Sequence, residues 1–368
     1  MLKVNHKELV SLIKRAYEVK QSLFVQGGTG IGKSQSIEEA GNQLARQLGL
    51  KGIKIWPEFD IEYFNIFDIR LAQMDPVDVR GLPFKVDRDG QEMMSWLKPD
   101  FFAVPPETKG IYLFDELNLA PPLIQASAYS FINDRRCGNA TLPEGCGVVA
   151  AGNRMEDKAA IFEMAKPLAN RLLHCELTVP DKEAWNEWGI EHGIDARIVN
   201  FLYQNPSYLY RQEDIADPDI KAFCTPRSWA FCSKMITGVK NLNDAKVYAS
   251  TAVGEAAAAQ FEAFIKLCAE VDIDAIMANP QEAAMPTSID MKYALVSALS
   301  EHFRAFPDKD VLKSLLIVAG RIPADFGILI IRLIAPFLPT KLRSQFTKII
   351  GEVGLAENLK KYFMQYSG

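Results

Sequence analysis

The sequence predicts an α/β fold, a mainly parallel five-stranded sheet flanked by helices, followed by a long all-helical region. Three observations predict it. Residues 22–34, SLFVQGGTGIGKS, read as a short apolar strand, a glycine-rich turn and the start of a helix. Further apolar runs alternate with helical segments as far as residue 180, and that alternation makes parallel sheets. After Pro180 the strand signals stop, and almost every segment to Gly368 has helical spacing.

In chain order, Leu9, Leu12, Ile13, Ala16 and Tyr17 share one face of a helix over 7–20. The helix that follows the glycine-rich turn runs to about Leu48 and stops at Gly49, a residue suited to a C-terminal cap. IEYFNIFDI (61–69) alternates apolar residues and is the second strand. A polar stretch, RLAQMDPVDVRGLPF (70–84), leads to apolar runs on either side of DRDG (87–90), and an Asp-Gly turn there predicts a hairpin. GIYLFDE (110–116) is a continuous apolar run ending in two acids, hence a buried parallel strand. PPLIQASAYSFINDRR (121–136) is a helix opened by prolines, GVVAAGN (147–153) the fourth strand, MAKPLANRLL (164–173) a helix and HCELTVP (174–180) the fifth strand. In the helical region Leu295, Leu299 and Phe303 share a face, as do Leu342, Phe346, Ile349 and Ile350, with breaks at Pro280, Pro286, Pro307, Gly320, Pro336 and Pro339. Trp185 and Trp188, three residues apart, suit core or interdomain packing better than a ligand stack. A boundary falls near residue 180, and a softer one in Asn279–Pro286.

Composition narrows the class. The chain has 368 residues, 48% hydrophobic and 24% charged, which is ordinary for a globular protein of two or three domains. A net charge of −5 argues against a protein devoted to DNA or RNA, while leaving room for a nucleic-acid channel on one face. The first 20 residues contain no apolar secretory core, and the longest apolar run, 325–339, carries Arg332 and is too short to span a bilayer. The six cysteines form no C-x-x-C pair and lie in apolar segments, so buried, reduced thiols and a cytoplasmic protein are expected. Four scattered histidines suggest no zinc site.

The chemistry begins in the glycine-rich turn. Gly27, Gly32, Lys33 and Ser34 complete the P-loop pattern G-x-x-x-x-G-K-[ST]. Glycines let successive N–H groups face one concavity, and the helix beginning near Lys33 adds its positive end. The phosphate-binding set is Gly27, Gly28, Thr29, Gly30, Ile31, Gly32, Lys33, Ser34 and Gln35. Lys33 would reach the outer phosphates of ATP, and the Ser34 hydroxyl would hold Mg²⁺. Asp115 and Glu116 end the buried strand, where open α/β sheets bind ligands. Asp115 would hold Mg²⁺ and Glu116 would orient the attacking water. The pair also suits a plain helix cap, but its place after an apolar strand and downstream of a P-loop favours the catalytic reading. Asn153 ends the next strand and could position the lytic water, or simply form a turn. Arg171, in PLANRLL, and Arg227, in CTPRSW, are candidate γ-phosphate sensors; singly, each also suits a surface ion pair. An arginine that stabilises the developing charge can be worth about 10³–10⁵ in rate.

These residues carry a resemblance. The order P-loop, Asp-Glu, Asn-ending strand, Asn-Arg pair and Pro-Arg at a helix start resembles the AAA+ ATPases. RLAQMDPVDVRGLP, the LNLAPP after Asp115–Glu116, AAGNRMEDKA, PLANR and TPRSW resemble the MoxR-like clade within them. The similarity covers about residues 5–265. It implies an AAA+ core at 1–180 with a hairpin insert at about 84–97, a helical lid at 181–268, and an additional helical region at 269–368 as a candidate partner-binding part. It implies that Asn153 is sensor 1, Arg227 sensor 2 on the lid, and Arg171 an arginine finger reaching a neighbouring subunit; Arg135 and Arg136 are second candidates for that role or a solvated helix end. A finger in trans implies a homo-oligomer, commonly a hexameric ring. Hydrolysis would then move the lid about a hinge near residue 180. Phe84, Met93 and Trp96 of the hairpin would lie near a central pore, or pack on their own domain. The clade implies ATP-driven remodelling of a protein client, often with a von Willebrand factor A domain partner. The other readings are an ATP-driven nucleic-acid motor or loader and a nucleotide-gated scaffold. No guanine-specifying N-K-x-D is present. From Glu270 to Gly368 there are 11 basic and 11 acidic residues, so no basic nucleic-acid stripe is expected there.

Overall fold

The computed structural model describes residues 1–138, 140–157, 161–239 and 241–353. The chain divides into two compact units, Met1–Pro180 and Asp181–Gly368. In the first unit β1 (Leu2–Val4) precedes α1 (His6–Glu18), and β2 (Leu23–Gly27) enters the glycine-rich turn ahead of α2 (Lys33–Gln47). Then come β3 (Ile53–Ile55), β4 (Phe64–Arg70) and the single-turn α3 (Pro76–Arg80). A hairpin follows, β5 (Leu82–Arg88) with β6 (Gln91–Leu97). Beyond it lie β7 (Gly110–Asp115), α4 (Pro122–Asp134), the two-residue β8 (Arg136–Cys137) and β9 (Ala140–Thr141), β10 (Cys146–Gly152), α5 (Lys166–Ala169) and β11 (Leu173–Leu177).

The sheet runs β1-β11-β2-β10-β7-β4-β3, and every pairing in it is parallel. It therefore has seven strands rather than the five predicted. The two additions, β1 and β3, are three-residue edge strands, too short to display a period. The predicted helix over 164–173 is a single turn, because Leu173 already belongs to β11. Of the resembling stretch AAGNRMEDKA, residues 158 and 159 lie outside the described residues, as do 354–368 of the C-terminal region.

Aromatic side chains fill one face of the sheet. Phe67 of β4 stacks on Tyr112 of β7 at 4.3 Å between ring centroids, and Phe131 of α4 meets Phe114 edge-on at 4.9 Å. Each such pair adds about 0.5–1.5 kcal/mol beyond its buried area. On the other face, Leu9 and Ile13 of α1 and Ile37 and Ala40 of α2 are fully buried. The hairpin turns at Asp89 and Gly90, both with positive φ, as a two-residue turn with the strands' own twist requires. Phe84 and Met93 stay exposed, while Trp96 packs against Gly138.

The second unit is all helix among its described residues: α6 (Lys182–Glu191), α7 (Ala196–Gln204), α8 (Gln212–Ala216), α9 (Pro226–Ile236), α10 (Leu242–Val253), α11 (Glu255–Ala269), α12 (Ile273–Ala278), α13 (Ile289–Ala305), α14 (Lys309–Arg321), α15 (Ala324–Ile334) and α16 (Thr340–Val353). One apolar core runs from Trp185 to Ile350, so helices on both sides of residue 268 share it. Trp185 is in that core and Trp188 packs against it. Residues 325–339 contain the buried α15 and a short turn, and no described helix is long and apolar enough to cross a membrane. All six cysteines are buried and unpaired.

Candidate functional site

The sheet order puts β2 between β11 and β10, and β7 next to β10. Register then brings the carboxyl ends together: Gly27 pairs with Leu177, Gln26 with Gly152, and Arg70 with Asp115. The residues singled out in the first unit, from the P-loop, Asp115–Glu116 and Asn153, thus sit along one edge, where α/β sheets bind ligands.

The turn after β2 has the shape its glycines allow. Gly30 and Gly32 have φ of 70° and 98°, conformations that L side chains rarely adopt. Gly32 is the N-cap of α2 and supplies no side-chain cap, so the first-turn N–H groups stay available to an anion. The first turn also carries no acid. The His6 ring nitrogen Nε2 donates to the Ile31 carbonyl at 2.7 Å and bolts the outside of the turn to α1.

Lys33 folds back across the loop. Its Nζ donates to the carbonyls of Gly27 and Gly28 at 2.9 and 3.0 Å, and to Asn153 Oδ1 at 3.1 Å. Two residues 120 apart in sequence are therefore in direct contact. Asn153 is held from below as well. Its N–H donates to Asn118 Oδ1 at 3.1 Å, and its carbonyl accepts from Asn118 Nδ2 at 2.8 Å and Gln26 Nε2 at 3.3 Å.

Asp115 and Glu116 occupy the adjacent strand end. Glu116 sits at φ 56°, a left-handed turn that takes the chain abruptly out of the strand. Its N–H donates to Asp115 Oδ1 at 2.9 Å. One strand further on, Asp68 of β4 is held above the ordinary carboxylate range by burial and by the charge of Asp115, against the opposing pull of Arg70. Glu38 of α2 is raised too, by burial and then by Asp68. These groups together make a negative corner beside a positive loop.

Whether Mg²⁺ and ATP suit these residues can be judged from the donors. Among the described residues no group of three or more His, Cys, Asp or Glu is arranged to hold a metal by itself. A hydroxyl at Ser34 and a carboxylate at Asp115 are hard oxygen donors of the kind that hold Mg²⁺ when phosphate completes the set. The uncapped helix start and the left-handed glycines fit the phosphates themselves.

The arginines are placed differently. Arg171 is exposed after α5, its Nη1 donating to the Pro167 carbonyl at 2.7 Å and its guanidinium 4.8 Å from the Tyr129 ring. Arg135 turns inward, its Nη2 donating to the Cys146 carbonyl at 2.5 Å at the far end of β10 from Asn153. Burial lowers its pKa. Arg136 is exposed on β8. Arg227 lies in the second unit, exposed in the first turn of α9, whose N-terminus is closed by a Thr225–Ser228 capping box.

Sequence reasoning missed His6, Gln26, Asp68 and Asn118. Asp68 carried a signal, a charge inside an otherwise apolar strand, and Asn118 lies in the LNLAPP stretch of the resemblance.

No family model matches the sequence, and no curated protein does. Solved structures similar to it include NtrX from Brucella abortus, at 12% identity over 98% of this chain and 68% of that one, with a TM-score of 0.33. The Aeropyrum pernix ORC2 protein, in ADPNP and ADP complexes, is 11% identical over 95% of this chain and 93% of its own, at 0.34. A point mutant of Thermotoga maritima RuvB is 11% identical over 98% and 86%, at 0.30. Superpositions this loose carry no argument about the present chain.

Proposed function

We propose that the chain is a Mg²⁺-dependent ATPase of the AAA+ type, of the MoxR-like kind, that uses hydrolysis to remodel or assemble a protein partner. The observation that carries the reading is the contact of Lys33 Nζ with Asn153 Oδ1 across the mouth of the P-loop, one strand from Asp115 and Glu116. The loop amides and Lys33 bind the phosphates, and Ser34 with Asp115 would hold the metal, which supplies charge neutralisation. Glu116 orients the water and draws off its proton. Asn153 fixes the water's other side. Hydrolysis of this kind is mostly positioning and electrostatics, which is what a rigid strand edge provides.

Arg171 acts in trans on the next subunit's nucleotide, in a homo-oligomeric ring, by the resemblance a hexamer. Its exposure supports that role, with the Pro167 carbonyl and the Tyr129 ring holding the guanidinium at the surface. Arg135, committed to the Cys146 carbonyl at the start of β10, is set aside as a finger. Arg227 is assigned to sensor 2 by the resemblance, and a protein carrying a von Willebrand factor A domain is the partner it suggests.

The test is the mass of the native complex, purified with and without ATP. An ATP-dependent ring that retains a protein partner is the expected result. An obligate monomer under both conditions contradicts the finger. ATPase activity that rises with added DNA and collapses with salt would replace the protein-remodelling reading with a nucleic-acid motor.

A further inference from the structure

We infer that Asn118 is a positioning residue for the hydrolytic step: it locks the Asn153 backbone and the Glu116 turn into one rigid piece. The inference rests on the ATPase reading and adds a residue to it. Asn118 lies two residues after Glu116, in the short turn Leu117–Leu119 that follows the left-handed Glu116. Its side chain is buried. Both ends of its amide are used on one residue. Oδ1 accepts the Asn153 N–H at 3.1 Å, and Nδ2 donates to the Asn153 carbonyl at 2.8 Å. A side-chain amide here does what a neighbouring strand would do: it pairs with both main-chain groups of one residue, just past the end of β10. The Asn118 carbonyl meanwhile accepts the Phe162 N–H at 2.8 Å, so the turn is held on that side too.

The space around it is fitted to that pairing. A Cβ at Gly152 would stand 2.5 Å from Asn118 Oδ1 and 2.8 Å from Phe24 Cζ. Glycine is thus what lets the amide close on the backbone. Gln26 Nε2 adds a longer bond to the same Asn153 carbonyl at 3.3 Å. The main chain of Asn153 is pinned by three side-chain bonds, which leaves its own amide to be aimed at Lys33. A water held between Asn153 and Glu116 needs both side chains at fixed separation, and Asn118 is the group bonded directly to one and two residues from the other. A misplacement of about 1 Å at such a site can cost about 10²-fold in rate.

The test is steady-state ATP turnover and nucleotide affinity of the full chain. Asn118→Asp keeps the shape and the acceptor but removes the donor to the Asn153 carbonyl. The inference expects kcat to fall by about tenfold or more, on the order of the positional penalty, with KM for ATP close to wild type. The melting temperature drops as well, because the new carboxylate faces the Asn153 carbonyl, so turnover is read well below the unfolding transition. It also expects that Asn118→Asp costs clearly less in an Asn153→Ala background than in the wild type, because the share of its effect that aims the Asn153 side chain is already gone. Should Asn118→Asp fail to fold, Gly152→Ala, which presses on the same amide from the strand side, is expected to give the same loss of kcat at unchanged affinity. An unchanged kcat, or a full additional loss in the Asn153→Ala background, overturns the inference. A wild-type chain that binds ATP and never hydrolyses it sinks the ATPase reading instead, so the two failures are separable.

Discussion

Two polar clusters, one in each unit, are held in opposite ways. In the α/β unit, polar side chains gather at one sheet edge and are held by main-chain partners: Lys33 on two carbonyls, Asn118 on both groups of Asn153, His6 on Ile31. In the helical unit the charges pair with each other inside the core. Asp195 is fully buried and takes a two-pronged bond from Arg197, Nη2 to Oδ2 at 2.7 Å and Nε to Oδ1 at 2.9 Å. Arg197 also donates to the carbonyls of Ile236 and Val239, and Glu301 accepts the Ala196 N–H at 3.0 Å. One arrangement is ready for an outside ligand. The other closes on itself and ties α7, α9 and α13 into one body. Substitutions in the first should therefore alter turnover without unfolding, and those in the second should change stability without first altering chemistry.

The largest effect lies outside both clusters, at the exposed Arg171. Arg171→Ala should lose turnover by about 10³-fold or more if the arginine stabilises transferred charge, with ATP binding and melting retained. Turnover at the wild-type rate would remove the finger assignment, and a large drop in melting temperature would show that Arg171 belongs to the structural class.

Next comes the buried pair. Arg197→Ala strands the Asp195 carboxylate in the core, a loss of about 3–5 kcal/mol by the usual cost of breaking such pairs. Denaturant unfolding measures it. A loss smaller than about 1 kcal/mol, the scale of an exposed pair, would mean that solvent reaches the two groups.

The smallest effect is a pH dependence. Burial, and then the nearby Asp195 charge, push the Glu301 carboxyl up to about 7, against the Ala196 N–H and Arg197. A carboxyl raised above its unfolded value favours folding at low pH, and that contribution is lost as pH rises through about 7. Glu301→Gln removes the charge that is costly at alkaline pH. It should stabilise the protein by about 1 kcal/mol at about pH 8, with the gain closing toward about pH 5. A constant difference across that range would place the charge elsewhere.

Much of this was legible in the sequence, and for physical reasons. The P-loop and the Asp-Glu pair stand out because the chemistry proposed for them needs fixed residue types at fixed local spacing. The buried strands β7 and β10 show as unbroken apolar runs, and the hairpin shows in Asp89-Gly90, the dipeptide its turn geometry demands. The bonds of Asn118 and His6 were hidden because their partners are distant, 35 and 25 residues away. The edge strands β1 and β3 were hidden by length. Arg135 shows the converse limit. Its place at the end of α4 suited an interface, yet a left-handed residue there, at φ 54°, turns the side chain back onto β10.

The central claim is that the sheet edge hydrolyses ATP with Glu116 orienting the water. The most direct measurement is ATP turnover by Glu116→Gln beside the wild type, with nucleotide affinity measured on the same samples. The account predicts that the variant binds ATP as tightly as the wild type and assembles with it, while turnover falls by about 10²-fold or more, the contribution expected of a positioned general base. Equal turnover in the two proteins would contradict it.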